Sequence, residues 1–169
     1  MKRVMVIGCP GSGKSTFSKK LGKITGLPLY HLDMMYWNSD KTKVPKEVFR
    51  KQLNDVIVQD EWLIDGNYNS TIGLRLKACD TVIFLDYPTE VCLEGIRARR
   101  GKARSDMPWV EAEEDEEFIR FVNEYDTESR PRIMALLEEC KDKDIYIFKS
   151  RKEADGFLER SKNNIMIKL

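Results

Sequence analysis

Near the N-terminus stands GCPGSGKST, residues 8–16. Gly8, Gly13, Lys14 and Ser15 fit the spacing Gly-x4-Gly-Lys-[Ser/Thr]. The apolar run VMVIG (4–8) precedes this stretch and a helical pattern follows it. Glycines let a loop close tightly and turn its amide N–H groups inward; here Pro10, Gly11, Ser12 and Gly13 form that loop. Such a nest, at a helix N-terminus, binds phosphate oxygens. Lys14 can then reach β- and γ-phosphates, the Ser15 hydroxyl can ligate Mg²⁺, and Thr16 can bond an α-phosphate. A flexible turn with a solvated lysine is the competing reading. The complete spacing between strand and helix favours a triphosphate site, with ATP and Mg²⁺ as expected cofactors.

Mg²⁺ takes an acidic partner at the end of a neighbouring strand. Asp65 in LIDGN and Asp86 in FLDYP are the candidates. Asp65 is preferred for the metal with Ser15; Asp86, just before Pro88, has the alternative role of fixing a turn. Asp33, in HLDMMYW, can bind an acceptor hydroxyl or take its proton, or it can cap a turn. His31 is open to a site role or a structural one. Tyr36 and Trp37 can stack on a planar substrate or simply pack.

Arg97, Arg99, Arg100, Lys102 and Arg104 crowd the end of a helix and the glycine-bearing loop after it. Guanidinium groups neutralise charge on a transferring phosphoryl group, and a mobile loop can deliver them. Arg97 and Arg99 are expected in that role, compensation of the helix dipole by a basic C-terminus being the plain alternative. Arg130 and Arg132 offer a second contact. Glu111, Glu113, Glu114, Asp115, Glu116 and Glu117 are expected to open the next helix. A further reading pairs them with the lid arginines when no nucleotide is bound.

These residues need a frame. Apolar runs at 4–8, 27–33, 62–66, 81–88 and 145–150 read as strands, separated by helical patterns that begin at Lys14, Pro45, Ser70 and Pro131 or carry Val91, Cys92 and Ile96 and, after the acidic run, Phe118, Ile119, Val122 and Tyr125. Ser150 and Glu153 make a capping box for a last helix; the tail NNIMIKL is ambiguous. Continuous apolar strands alternating with helices imply a parallel sheet covered on both faces. Its ligands sit beyond the carboxyl ends of the strands, where Gly8, Asp33, Asp65, Asp86 and Ser150 fall.

The 169 residues suit one domain, and 29 basic against 28 acidic residues give a net charge of +1. A near-neutral chain has no general attraction for a nucleic-acid backbone. Direct DNA binding therefore has no support in the charge. Four scattered cysteines and one histidine argue against zinc and for reduced thiols in the cytoplasm. No apolar run reaches membrane-spanning length.

GCPGSGKST, YHLDMMYW, DEWLIDGNYNST, LRLKACDTVIFLDYP, RARR and YIFKSRKEADGFL, in this order, resemble the DNA topology modulation proteins of the adenylate-kinase-like group of P-loop kinases. The resemblance implies a three-layer α/β P-loop NTPase fold. It implies a five-stranded parallel sheet in the order 2-3-1-4-5 with a short lid, which sets strand 3 beside strand 1 and supports Asp65. It also implies one domain over 1–169, an acceptor-side segment at about 34–60 and a lid at about 97–112. Arg99 matches a lid arginine of adenylate kinases, and 149–152 match their adenine-contact region. Gly66-Asn67-Tyr68-Asn69 replaces their Gly-Phe-Pro-Arg, and an earlier lid arginine aligns with Gly95. With its shorter segment after Asp33, the chain is closer there to hydroxyl-phosphorylating kinases such as shikimate kinase.

The expectation is a phosphotransferase that moves the ATP γ-phosphoryl group to a nucleotide, nucleoside or small hydroxylated metabolite. Asp33, Trp37 and Asn67 would meet the acceptor, and Lys14, Arg97 and Arg99 would serve the transfer. The alternative is an ATP-binding regulator that affects DNA topology through DNA or a protein partner.

Overall fold

The computed structural model describes residues 1–166, so the last three positions of the ambiguous tail lie outside the described residues. In chain order the elements are β1 (Arg3–Gly8), α1 (Lys14–Thr25), β2 (Leu29–His31), α2 (Leu32–Tyr36), α3 (Lys46–Ile57), β3 (Trp62–Asp65) and α4 (Asn69–Ala78). Then come β4 (Thr81–Leu85), α5 (Thr89–Arg99), α6 (Glu116–Asn123), α7 (Tyr125–Glu128), α8 (Arg130–Glu138), β5 (Asp144–Phe148) and α9 (Arg151–Met166).

The strands form one parallel sheet in the order β2-β3-β1-β4-β5, as expected. Val4–Ile7 of β1, Leu63 and Ile64 of β3, and Val82–Phe84 of β4 are essentially inaccessible. Helices on both sides explain why these strands read as unbroken apolar runs rather than alternating ones. α1 buries Phe17, Ser18 and Leu21 on one face and stops at Gly26, whose left-handed backbone donates its N–H to Gly22 O at 2.8 Å.

Register brings the chemistry to one edge. Val6 of β1 stands opposite Asp65 of β3, and Asp65 stands opposite His31 of β2. On the other side Gly8 stands opposite Leu85, one residue before Asp86.

Two expectations change. The strand read at 27–33 ends at His31, because Leu32 turns inward and starts α2; Asp33 therefore lies in a helical first turn. The acidic run does not all open a helix. Asp115 is the N-cap of α6, accepting from Phe118 N–H at 3.0 Å, and Glu116 and Glu117 fill the first turn. Glu111, Glu113 and Glu114 stay in the non-helical 100–115 segment.

Candidate active site

The carboxyl ends of the strands open into a cleft of about 1340 Å³. A single small-molecule pocket is usually about 300–1,000 Å³, so this cleft has room for two ligands side by side.

The 8–16 loop is shaped by close backbone contacts. Ser12 N–H donates to Cys9 O at 3.1 Å. Gly11 has φ +84°, and a Cβ there would lie 2.0 Å from the carbonyl oxygen of Cys92 on α5. A Cβ at Gly95 would lie 2.1 Å from Gly11 O. The loop thus lies backbone to backbone on α5. Pro10, Gly11, Ser12, Gly13, Ser15 and Thr16 all line the cleft, while Gly8 sits behind it at the end of β1.

Half-buried Lys14 donates from Nζ to Gly8 O at 2.9 Å and Cys9 O at 3.2 Å. Burial pushes its pKa below the ordinary lysine value, while the charges of Asp33 and Asp65 draw it back up through space. A desolvated ammonium that touches only carbonyl dipoles is completed by an anion. The donor set of this loop therefore fits a polyphosphate.

Asp65 is 4% exposed, and His31 Nδ1 lies 3.0 and 2.8 Å from its two oxygens. Asp65 and Ser15 both line the cleft. Among the described residues, no group of three or more His, Cys, Asp or Glu is placed to hold a metal alone. That suits Mg²⁺, which keeps several waters and takes one or two carboxylates together with phosphate oxygens. Asp86 is differently engaged. Arg130 grips it from Nε at 2.7 Å and Nη2 at 2.8 Å, and Lys149 joins the same carboxylate. Arg132, by contrast, is exposed and pairs with Glu128 at 3.4 Å.

Asp33 Oδ1 accepts from Tyr68 Oη at 2.6 Å. Burial pushes the Asp33 carboxyl above its ordinary pKa; the Tyr68 hydrogen bond and the Lys14 charge restrain the shift without cancelling it. Tyr68 has φ +42°, in the left-handed region. A non-glycine residue held there costs about 1–3 kcal/mol and persists only where its surroundings enforce it. Arg75 enforces it here. This fully buried side chain of α4 donates to Gly66 O at 2.7 Å, to Asn67 O, and to Tyr68 O at 3.5 Å. Burial pushes its pKa down to about 9, so it remains cationic at neutral pH.

Trp37 lines the cleft and meets Trp109 of the 100–115 segment edge-on, with ring centroids 5.3 Å apart. Lys43 Nζ stands 5.6 Å from the same ring. Asn67, expected at the acceptor, has its carboxamide on the backbone of Gly8.

The arginines separate. Arg99 lines the cleft, with Nε 2.9 Å from Glu111 Oε2, Nη2 donating to Glu111 Oε1 at 3.1 Å, and its guanidinium 5.9 Å from the Phe118 ring centroid. Arg97 is exposed and outside the cleft lining. Two residues along a helix is more than half a turn, so the pair cannot share a face. Arg100 pairs with Glu114, and Arg104 lies 3.7 Å from Glu111 and 3.8 Å from Asp106.

Asp106, Trp109, Tyr68 and Arg75 carry no role in the sequence reading. Asp106 is 5% exposed and accepts from Lys19 Nζ at 3.1 Å. Burial works to raise its pKa, but Arg104, Lys19 and the Ser15 side chain hold it below the ordinary value. Trp109 follows Pro108 in the loop and carries no linear signal of a site. Tyr68 lies within the quoted DGNY, whereas Arg75 reads like any solvated helical arginine.

The sheet order and the phosphate-loop geometry define a P-loop NTPase fold of the kinase kind. Shikimate kinase from Bacteroides thetaiotaomicron superposes with TM-score 0.64 at 16% identity, over 98% of each chain. Shikimate kinase from Acinetobacter baumannii, in complex with shikimate, superposes with TM-score 0.59 at 17% identity, over 99% of this chain and 94% of that one. In sequence, the adenylate kinases of Thermotoga petrophila and Thermotoga maritima are each 31% identical over 94 residues, or 54% of this chain. The match spans 42% of those relatives' own length. No family model matches the chain. No helix among the described residues is long and apolar enough to cross a membrane.

Proposed function

We propose that this chain is an ATP- and Mg²⁺-dependent kinase that transfers the γ-phosphoryl group of ATP to a hydroxyl of a small acceptor. The observation that carries the reading is Lys14, a desolvated cation on carbonyl oxygens at the mouth of an amide-rich loop. Loop residues 10–16 and Lys14 bind the phosphates. Ser15 and Asp65, which line the same cleft, would hold Mg²⁺, and the ion would supply neutralisation of phosphate charge.

The acceptor occupies the Asp33, Tyr68 and Trp37 side of the cleft. Its oxygen bonds to the γ-phosphorus as the bond to the β,γ-bridging oxygen breaks. Asp33 takes the hydroxyl proton and ADP leaves. Arg99, at the end of α5, and Arg104, on the 100–115 lid, neutralise the charge on the transferring group. A hydroxyl acceptor suits a carboxylate–phenol pair better than a second phosphate would. The acceptor class is a nucleoside or another small hydroxylated compound.

Calorimetry with ATP and Mg²⁺ tests the phosphate site: wild type binds, and Lys14→Ala loses most of the affinity. Equal binding by both sinks the reading. An ADP-release screen over nucleotides, nucleosides and small hydroxy compounds, shikimate included, identifies the acceptor. The alternative of a nucleotide-dependent regulator of DNA topology rests on the motif resemblance. ATP-dependent, salt-sensitive gel shifts without phosphoryl transfer would favour it.

A further inference from the structure

Asn67 makes a pair of contacts that the proposed chemistry does not use. Its Nδ2 donates to Gly8 O at 2.8 Å, and its Oδ1 accepts from Gly8 N–H at 3.1 Å. Register explains why they meet. Val6 of β1 stands opposite Asp65 of β3 in a parallel pair, so two residues further on Gly8 is level with Asn67.

The backbone ladder stops just before this point. Gly66 N–H donates to Val6 O at 3.2 Å, and the chain then turns away through Gly66 (φ +123°) and Tyr68 (φ +42°). A carboxamide has one acceptor oxygen and one donor nitrogen, as a peptide group does. The Asn67 side chain takes the place of the peptide group that β3 no longer supplies.

Gly8 is closed in from the other side too. It pairs with Leu85 of β4, and a Cβ at Gly8 would lie 2.6 Å from Leu85 O. The first residue of the phosphate loop is therefore clamped between a strand and a single side chain. That side chain is itself anchored, because buried Arg75 grips the carbonyls of Gly66, Asn67 and Tyr68. Gly8 O also receives Lys14 Nζ at 2.9 Å, so Asn67 and Lys14 share one acceptor.

We infer that Asn67 is a positioning residue of the phosphate loop: its carboxamide fixes Gly8, and through Gly8 it aims the loop amides and Lys14. The inference rests on the reading of residues 8–16 as a phosphate site. It gives Asn67 a role different from contact with the acceptor, since both polar atoms of its carboxamide already serve Gly8.

The test is calorimetry with two probes, ATP and inorganic tripolyphosphate, both with Mg²⁺. Wild type, Asn67→Ala and the isosteric Asn67→Asp are compared, with thermal melts and the Gly8 amide exchange rate by NMR. Asn67→Ala weakens both probes by the same factor, about tenfold for two lost hydrogen bonds, and speeds Gly8 amide exchange. Asn67→Asp keeps the acceptor for Gly8 N–H and hence the slow exchange. It loses the donor to Gly8 O and still binds both probes more weakly. If the alanine variant does not fold, Asn67→Ser, which shortens the side chain without adding charge, takes its place in the same comparison. Unchanged affinity for both probes in a folded variant overturns the inference and leaves the phosphate site standing. Weaker ATP with unchanged tripolyphosphate also overturns it, moving Asn67 to the nucleoside or acceptor end. If wild type binds neither probe, the phosphate-site reading falls and this inference with it.

Discussion

Tyr68 donates its phenol proton to Asp33 across 2.6 Å, from a backbone held at φ +42°. The pair joins the turn after β3 to the first turn of α2, at the acceptor side of the cleft. Tyr68→Phe removes the donor and keeps the ring. Turnover with the acceptor found in the ADP-release screen falls about tenfold, as expected for a hydrogen bond to a charged group. Steady-state kinetics of the variant check it.

The same pair sets a pH dependence. As a base, Asp33 must be ionised, and burial raises its folded-state pKa while Tyr68, Lys14 and Arg104 lower it and Asp65 raises it. The acid limb of kcat/KM therefore lies above the ordinary carboxylate range. Loss of the Tyr68 donor moves that limb to still higher pH. A pH–rate profile that is flat from pH 4 upward, or that moves down in Tyr68→Phe, counts against Asp33 as the base.

Arg99 and Arg97 make a controlled contrast on one helix. Arg99→Ala lowers turnover on the order of a thousandfold if its guanidinium meets the transferring group. Arg97, exposed on the other side of α5, alters turnover less than about threefold when replaced by alanine. Equal losses in the two variants would remove the distinction drawn from their placement.

The lid carboxylates occupy the arginines that phosphates would use. Glu111→Gln frees Arg99 and Arg104 of a competing charge. Partly exposed ion pairs are worth about 0.2–1 kcal/mol, so ATP binds about 1.4- to fivefold tighter in the variant. Calorimetry at low salt measures the difference, which shrinks as salt screens the pair. Weaker binding in Glu111→Gln would make Glu111 a support for Arg99 rather than a competitor.

Asp86 ties acid stability to one ion cluster. Burial alone would raise its pKa, but Arg130 and Lys149 outweigh burial and hold it below the ordinary carboxylate value of 3.8. A carboxylate with a depressed folded pKa stabilises above its unfolded pKa, and the contribution disappears as pH falls through the folded pKa. Asp86→Asn therefore lowers the melting temperature at pH 7, and the gap from wild type closes below about pH 4. Melting curves across pH provide the check.

The phosphate loop and the acids at the strand ends were legible because each depends on local sequence, whereas the sheet order followed only from the family resemblance, since which strands lie side by side is not a local property. A glycine spacing after a β-branched run, and an aspartate at the end of an apolar run, are linear signals. Asp33 kept its place at the cleft even though its strand became a helical turn, since Leu32 had to enter the core. Arg75 was not legible: burial of a helical arginine depends on three carbonyls of a turn that only the folded chain brings together. Asp106 and Trp109 depend likewise on how the 100–115 segment lies over the loop and over Trp37. Glu111, Glu113 and Glu114 fall outside α6, although Asp115, Glu116 and Glu117 open it as expected, because helix-start chemistry and lid pairing ask for the same residue type.

The bare contact between Gly11 and Gly95 has a mechanical consequence. α5 lies on the phosphate loop at Cys92 and Gly95, and Arg99 stands four residues beyond Gly95 on the same helix, about 6 Å away at 1.5 Å per residue. Neither glycine has a side chain to yield, so any shift of the loop at this contact must be taken up by the backbone of the helix that carries that guanidinium.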